Sequence, residues 1–190
     1  MLALILGCVL GGIALIVIIC VLWGIVTFNT FVRMRNKVEE AFSTMDVYLK
    51  KRYDLIPNLV ETVKGYTKHE NETLTNVINA RNAAMTAKTP EERMQNENAL
   101  SGTLKTLFAV AEAYPELKAD AHFTELMGQL KNVEAEIASS RKYYNGCVRQ
   151  YNTKLEVFPS SIIAKMKKFE RKPLYEVDNE EERKNVKVQF

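Results

Sequence analysis

From Leu2 to Val26 nearly every residue is Leu, Ile, Val, Ala, Gly or Cys, and no charged side chain occurs before Arg33. Spanning a hydrocarbon core takes about 20 residues at helical rise, and a helix satisfies its own backbone there. The pattern predicts a transmembrane anchor over 1–28. Trp23 and Phe28 stand near its C-terminal end, where aromatic rings favour the interface. Beyond it, Phe31, Met34, Val38, Ala41, Phe42, Met45 and Tyr48 recur at three- and four-residue spacing, the mark of an amphipathic helix. Nothing between Thr27 and Arg52 is Gly or Pro, so the anchor is expected to run unbroken into this helix.

Pro57 then removes a helical donor and disfavours helix at Ile56. The expectation is a turn at 53–57, with Asp54 as N-cap of a second helix; one long helix kinked at Pro57 is the alternative. The second stripe carries Ile56, Leu59, Val60, Val63, Tyr66, Leu74, Val77, Ile78, Ala84 and Met85, and ends near Lys88. Thr89-Pro90-Glu91-Glu92 is a start signal, with Thr89 as N-cap, Pro90 at N1 and Glu92 completing a capping box. The third helix bears Met94, Leu100, Leu104, Leu107, Phe108 and Ala111, and Tyr114-Pro115 ends it. Asp120 caps a long fourth helix with Phe123, Leu126, Met127, Leu130, Val133, Ile137, Tyr144, Val148, Tyr151 and Leu155 on its stripe. Phe158-Pro159 closes that helix. A short basic helix over 160–172 follows, capped by Ser160-Ser161, with Ile162, Ile163, Met166 and Phe169 on one side. A charged, mobile tail is expected from Leu174, with a β-like alternation at Val186 and Val188.

These elements give an all-α fold: a single N-terminal transmembrane helix continuing into an antiparallel up-and-down four-helix bundle. The expected divisions are an anchor (1–28), a bundle (29–159), a basic amphipathic helix (160–173) and a tail (174–190). Short connections make neighbouring helices antiparallel. The turns at 53–57 and 114–120 then share the end far from the membrane, and the basic helix lands near Arg33, Arg35 and Lys37.

Charge adds an orientation. Arg33, Arg35 and Lys37 follow the apolar run, and only the α-amino group precedes it, so the positive-inside bias puts the bundle in the cytoplasm and the N-terminus outside. A cleaved signal peptide is the competing reading. It is disfavoured by the missing basic n-region and by an apolar run longer than the usual 7–15 residues or so. Gly7 and Gly11 have the spacing that lets two helices approach closely, which a Gly-containing apolar run also produces by chance. The 26 basic and 23 acidic residues, net +3, are too even to demand a nucleic-acid partner, and none is expected. Of three cysteines two lie in the apolar run and Cys147 stands alone, so no disulfide framework arises, as suits a reducing compartment.

Candidate chemistry is sparse. His69-Glu70 opens like a zincin motif, but position 73, where the second His belongs, is Thr. The other histidine is His122. No P-loop, dinucleotide fingerprint or GxSxG occurs, and Cys147 has no His nearby in sequence. No catalytic residue, metal or cofactor is expected. Charges that fall on apolar stripes are more informative: Glu70 and Arg81 share a face of the second helix, and Glu134 and Arg141 share one on the fourth. Buried, they would have to pair into a polar network; at the stripe edge, the commoner arrangement, their stems pack and their heads reach water. Arg33, Arg35, Lys37, Lys165, Lys167, Lys168, Arg171 and Lys172 are the candidate lipid-contacting residues, against the alternative of an ordinary solvated face.

Val47-Tyr48-Leu49-Lys50-Lys51-Arg52-Tyr53-Asp54-Leu55-Ile56-Pro57-Asn58-Leu59-Val60-Glu61-Thr62-Val63-Lys64-Gly65-Tyr66, then His69-Glu70 and Ala80-Arg81, closely resembles the signature of the bacterial LemA family. Glu112-Ala113-Tyr114-Pro115-Glu116-Leu117-Lys118-Ala119, Phe123, Tyr144-Asn145, Tyr151-Asn152 and Phe158-Pro159 extend the resemblance, which runs from about Asn29 to Phe169. Phe28-Asn29 departs from the family's usual Tyr-Asn. The resemblance implies an up-and-down helical bundle on one membrane anchor in the bacterial inner membrane, with no established enzymatic activity; some relatives are tied to membrane organisation, including magnetosome formation. Its motif clusters at the expected turns, which makes Arg52, Tyr53, Asp54, Asn58, Tyr114, Glu116 and Lys118 candidate partner-binding residues.

The function expected is non-enzymatic: self-association, partner binding or membrane organisation. An envelope signalling adaptor is the alternative, and an enzyme or ligand binder built on Glu70, Arg81, Glu134 and Arg141 a more distant one. The expected partners are the lipid bilayer, further copies of the chain as a homo-oligomer, and other membrane or signalling proteins.

Overall fold

The computed structural model describes residues 1–67 and 70–175, without the side chains of residues 2 and 3. Among these described residues six helices follow in order: α1 (Leu2–Tyr66), α2 (Asn71–Thr86), α3 (Pro90–Glu112), α4 (Pro115–Ala119), α5 (Ala121–Glu156) and α6 (Ser160–Met166). No strand occurs among the described residues. The chain divides into two compact units: Met1–Phe42 with Tyr143–Leu174, and Ser43–Lys142 with Tyr175. His69, the alternation at Val186 and Val188, and the tail beyond Tyr175 lie outside the described residues.

The apolar run is helical, as its composition dictates, and its large side chains from Leu4 to Val26 are exposed. Among the described residues this is the one helix long and apolar enough to cross a membrane. In this first unit α1 pairs with α5 in antiparallel sense: Phe31 meets the Tyr151 ring edge-on at 6.4 Å, and Phe42 meets Tyr144 at 5.7 Å.

The second unit is a four-helix bundle. Its α1 segment pairs antiparallel with α5 through Arg52 with Glu134 and Tyr66 with Asp120, and parallel with α3 through Asp46 with Arg93 and Arg52 with Glu97. The α2 and α3 helices run antiparallel, Asn96 donating to the Ala83 carbonyl at 3.0 Å near one end and Tyr114 meeting Glu70 at the other. The core is Met45, Leu49, Ile56, Leu59, Val63, Val77, Leu100, Leu107, Leu117, Leu130 and Ile137, all on the predicted stripes except Leu49 and Leu117.

The break between the first two helices is displaced from its expected place. There is no turn at 53–57; α1 passes through Pro57 and ends at Tyr66, next to Gly65. Proline inside a helix leaves the carbonyl four residues earlier without its donor. Here that carbonyl belongs to Tyr53, and Arg81 Nε on α2 donates to it at 2.7 Å. A side chain supplies what proline withholds, so the helix continues.

Other boundaries follow the predicted chemistry. Thr89 accepts from the Glu92 N–H at 3.1 Å, and the Glu92 carboxylate accepts from the Lys88 N–H at 2.9 Å, one residue before the expected partner. Asp120 Oδ1 accepts from the Phe123 N–H at 2.7 Å and starts α5. Between them Pro115 opens α4, a five-residue helix the stripes did not foretell. The basic helix is shorter than expected: α6 ends at Met166, and Lys168 adopts φ 53°, which stops helical propagation. Residues 167–168 therefore form a turn, and 169–173 run on without regular secondary structure. Asn152 holds that chain, its amide donating to the Lys172 carbonyl at 2.9 Å and accepting from the Lys172 N–H at 3.0 Å. Tyr144 donates to the Pro173 carbonyl. Tyr175, placed by the sequence in a mobile tail, is buried.

Candidate membrane-contact site and polar core

In the first unit, the chain leaving α5 folds back along α1. Ile163 of α6 reaches the level of Gly24, its Cδ1 3.7 Å from where a Cβ on that glycine would sit. Phe169 stacks on Phe31 at 5.0 Å and contacts Phe28 at 5.8 Å. Lys167 places its ammonium 5.8 Å from the Phe28 ring centre, a cation–π distance. The other face is uncovered: Phe158 is 81% exposed, Ile162 53% and Met166 63%. Between α6 and residues 16–28 of α1 runs an apolar groove of about 550 Å³, with Lys167 as its charged lining residue.

The candidate lipid-contacting residues all belong to this unit. Arg33, Arg35, Lys37, Lys165, Lys167, Lys168 and Arg171 are exposed, and Lys172 is half-buried. Arg171 pairs with Glu156, which removes part of its charge from the cationic set. Exposed apolar and cationic side chains on one short segment are the composition of an element lying at a membrane interface.

In the second unit, the polar core differs from the expected quartet. Arg52 and Glu97 are both fully buried and paired, and Tyr53 donates its hydroxyl to the same Glu97 carboxylate. Arg52 Nη1 also donates to Glu134 Oε1 at 2.8 Å and to Ser101 Oγ at 3.0 Å. One guanidinium thus ties α1 to α3 and α5. Burial raises the Tyr53 pKa, with the Arg52 charge opposing. Arg141 lies 4.3 Å from the centre of the Tyr175 ring. Burial lowers the Arg141 pKa and raises that of Tyr175, each charge partly offsetting the effect on the other. Arginine nevertheless stays cationic at neutral pH.

The four charges singled out by periodicity therefore enter separate partnerships: Glu134 with Arg52, Arg141 with Tyr175, Arg81 with the Tyr53 carbonyl, and Glu70 with the Tyr114 hydroxyl at 3.4 Å. Glu97 was missed. It lies three residues from both Met94 and Leu100, so its place on the α3 stripe was legible. Arg52 likewise continues Met45 and Leu49. The turn expected directly after it, at 53–57, concealed its role as the core's central cation.

Of the candidate partner-binding residues, Arg52 and Tyr53 are interior. Asp54, Asn58, Glu116 and Lys118 are exposed, and Tyr114 is half-buried. Lys118 pairs with Glu112 at 2.6 Å. Tyr66 donates to Asp120 Oδ2 at 2.8 Å. The Phe123 N–H and then the Tyr66 hydroxyl hold the Asp120 carboxyl below its usual pKa. Among the described residues no cluster of His, Cys, Asp and Glu has the makings of a metal site.

The family model described as the LemA family matches residues 41–190. Protein LemA of Metamycoplasma hominis is 26% identical over 140 residues, covering 72% of this chain and 63% of that protein. Magnetosome protein MamQ 2 of Paramagnetospirillum magneticum is 22% identical over 170 residues, covering 76% of this chain and 62% of its own length. Magnetosome protein MamQ of Magnetospirillum gryphiswaldense is 21% identical with the same coverage. The chain thus spans a little under two thirds of the length of these relatives. With the family match covering most of its length, on helices that carry the polar core, this membrane-associated helical chain belongs to the LemA family.

Proposed function

We propose that this protein is a non-enzymatic, membrane-anchored helical bundle that works by binding, associating with its own copies and with partner proteins at a bilayer it helps to organise. The observation that carries this reading is the meeting, in one unit, of the uncharged opening stretch of α1 with a returning segment that exposes Phe158, Ile162 and Met166 beside Lys165, Lys167 and Lys168. Such a segment gains by resting in an interface and holds the chain against the bilayer at a second point. Relatives named as magnetosome proteins agree with a role at membranes.

The bundle faces the cytoplasm of a bacterial inner membrane. Arg33, Arg35 and Lys37 support that orientation, since basic residues flank cytoplasmic ends. Protease added outside spheroplasts should leave the bundle intact, and protease added to inverted vesicles should digest it. Size on native gels after gentle detergent extraction tests association; a strict monomer that captures nothing counts against the reading.

An envelope signalling adaptor is the alternative, favoured by the exposed Asp54, Asn58 and Glu116 of the family motif. On that reading, Asp54→Ala with Glu116→Ala should abolish partner capture at unchanged thermal stability. Equal loss of both would assign these residues to folding.

A further inference from the structure

We infer that the groove between α1 and α6 holds one acyl chain of an anionic phospholipid, with the lipid phosphate on Lys167. The inference rests on the reading that the first unit sits in a bilayer. The groove is lined on one side by Val17, Cys20, Val21 and Gly24 and on the other by Ile163 and Met166. Its volume, about 550 Å³, lies within the range of roughly 300–1,000 Å³ typical of small-molecule sites. Apolar walls with one placed charge are the usual make-up of such a site.

Three observations choose the occupant. The α1 wall belongs to the helix long and apolar enough to cross a membrane, so the solvent there is lipid chains. The charge on the lining is cationic, and Lys165 and Lys168 beside it are exposed cations too. Anionic headgroups are attracted by such a cluster, whereas phosphatidylcholine offers no net charge to meet it. The Phe28 ring under the Lys167 ammonium places that charge at the end of the groove, where a headgroup would sit above its own chain.

The test uses the full chain reconstituted in vesicles of equal parts phosphatidylglycerol and phosphatidylcholine, extracted gently and weighed by native mass spectrometry. The expected result is one retained phosphatidylglycerol per chain, at least tenfold over phosphatidylcholine. Lys167→Gln should reduce that preference severalfold. Cys20→Phe, which fills the groove from the exposed α1 wall, should abolish retention while helical content and melting stay those of the parent. Excess inorganic phosphate should not displace the lipid. Equal retention of both lipids, unchanged retention in Cys20→Phe, or displacement by phosphate would each overturn the inference. Co-flotation of the chain with the vesicles before extraction keeps the two readings apart: a chain that floats but retains no lipid sinks the groove alone, and a chain that does not float sinks the membrane seating on which the groove rests.

Discussion

Arg81 on α2 donates its Nε–H to the carbonyl of Tyr53 on α1, the carbonyl that Pro57 leaves without a helical donor. The pair explains how one helix passes through a proline and how α2 is fixed beside it. Proline in a helix interior costs about 3 kcal/mol, part of it the lost bond. Arg81→Met should cost about 1–3 kcal/mol, because a half-buried carbonyl loses its partner. In a Pro57→Ala background the residue at 57 regains an N–H, and the same substitution should cost less than half as much. Denaturant unfolding of the four proteins of the cycle measures the coupling; equal costs in both backgrounds would show that Arg81 acts elsewhere.

The Arg52–Glu97 pair should behave as a buried ion pair. Glu97→Leu leaves the buried Arg52 with Glu134 as its remaining counter-charge and should cost up to about 3–5 kcal/mol. Arg52→Met/Glu97→Leu removes both charges and should recover at least half of that loss, since Glu134 is 37% exposed and can turn to water. A double variant as unstable as the single one would mean that Tyr53 and Ser101 depend on the ions more than the geometry indicates.

Asp120 sets an acid limit. Its folded pKa is lowered by the Phe123 N–H and the Tyr66 hydroxyl, so the unfolded chain binds its proton first, at about pH 3.9. The stabilisation is complete above that value and is lost as pH falls through the lower folded one. Asp120→Asn should therefore flatten the fall in melting temperature as pH drops below about 3.9, and Tyr66→Phe should flatten it partly. An unchanged acid profile in Asp120→Asn would remove the cap from the account.

Exposed apolar side chains on the returning segment should govern membrane seating. Phe158→Ser with Ile162→Ser and Met166→Ser should leave the second unit folded while making residues 157–169 accessible to protease in vesicles. Protection equal to that of the parent would mean that this face meets protein rather than lipid.

Much of the fold was legible because period-3.6 stripes and caps are local. Thr89, Pro90 and Asp120 announced their helices, and the run from Leu2 to Val26 announced the anchor. The turn assigned at Pro57 failed because its remedy, Arg81, comes from another helix and leaves no mark near the proline. The basic helix was drawn too long because nothing in Lys167-Lys168 signals a left-handed residue. Tyr175 lies beyond any periodic pattern, so its place against Arg141 was invisible. Glu97 was legible and overlooked, as a single carboxylate on an apolar stripe reads as a stripe edge until a buried cation is found opposite.

Membrane organisation by self-association is measured by reconstituting the full chain into vesicles, with copies counted by single-molecule photobleaching and vesicle shape followed by electron cryomicroscopy. Clusters of several copies, with vesicles deformed in proportion to their number, are the expected result. Single copies scattered in vesicles of unchanged shape would contradict it.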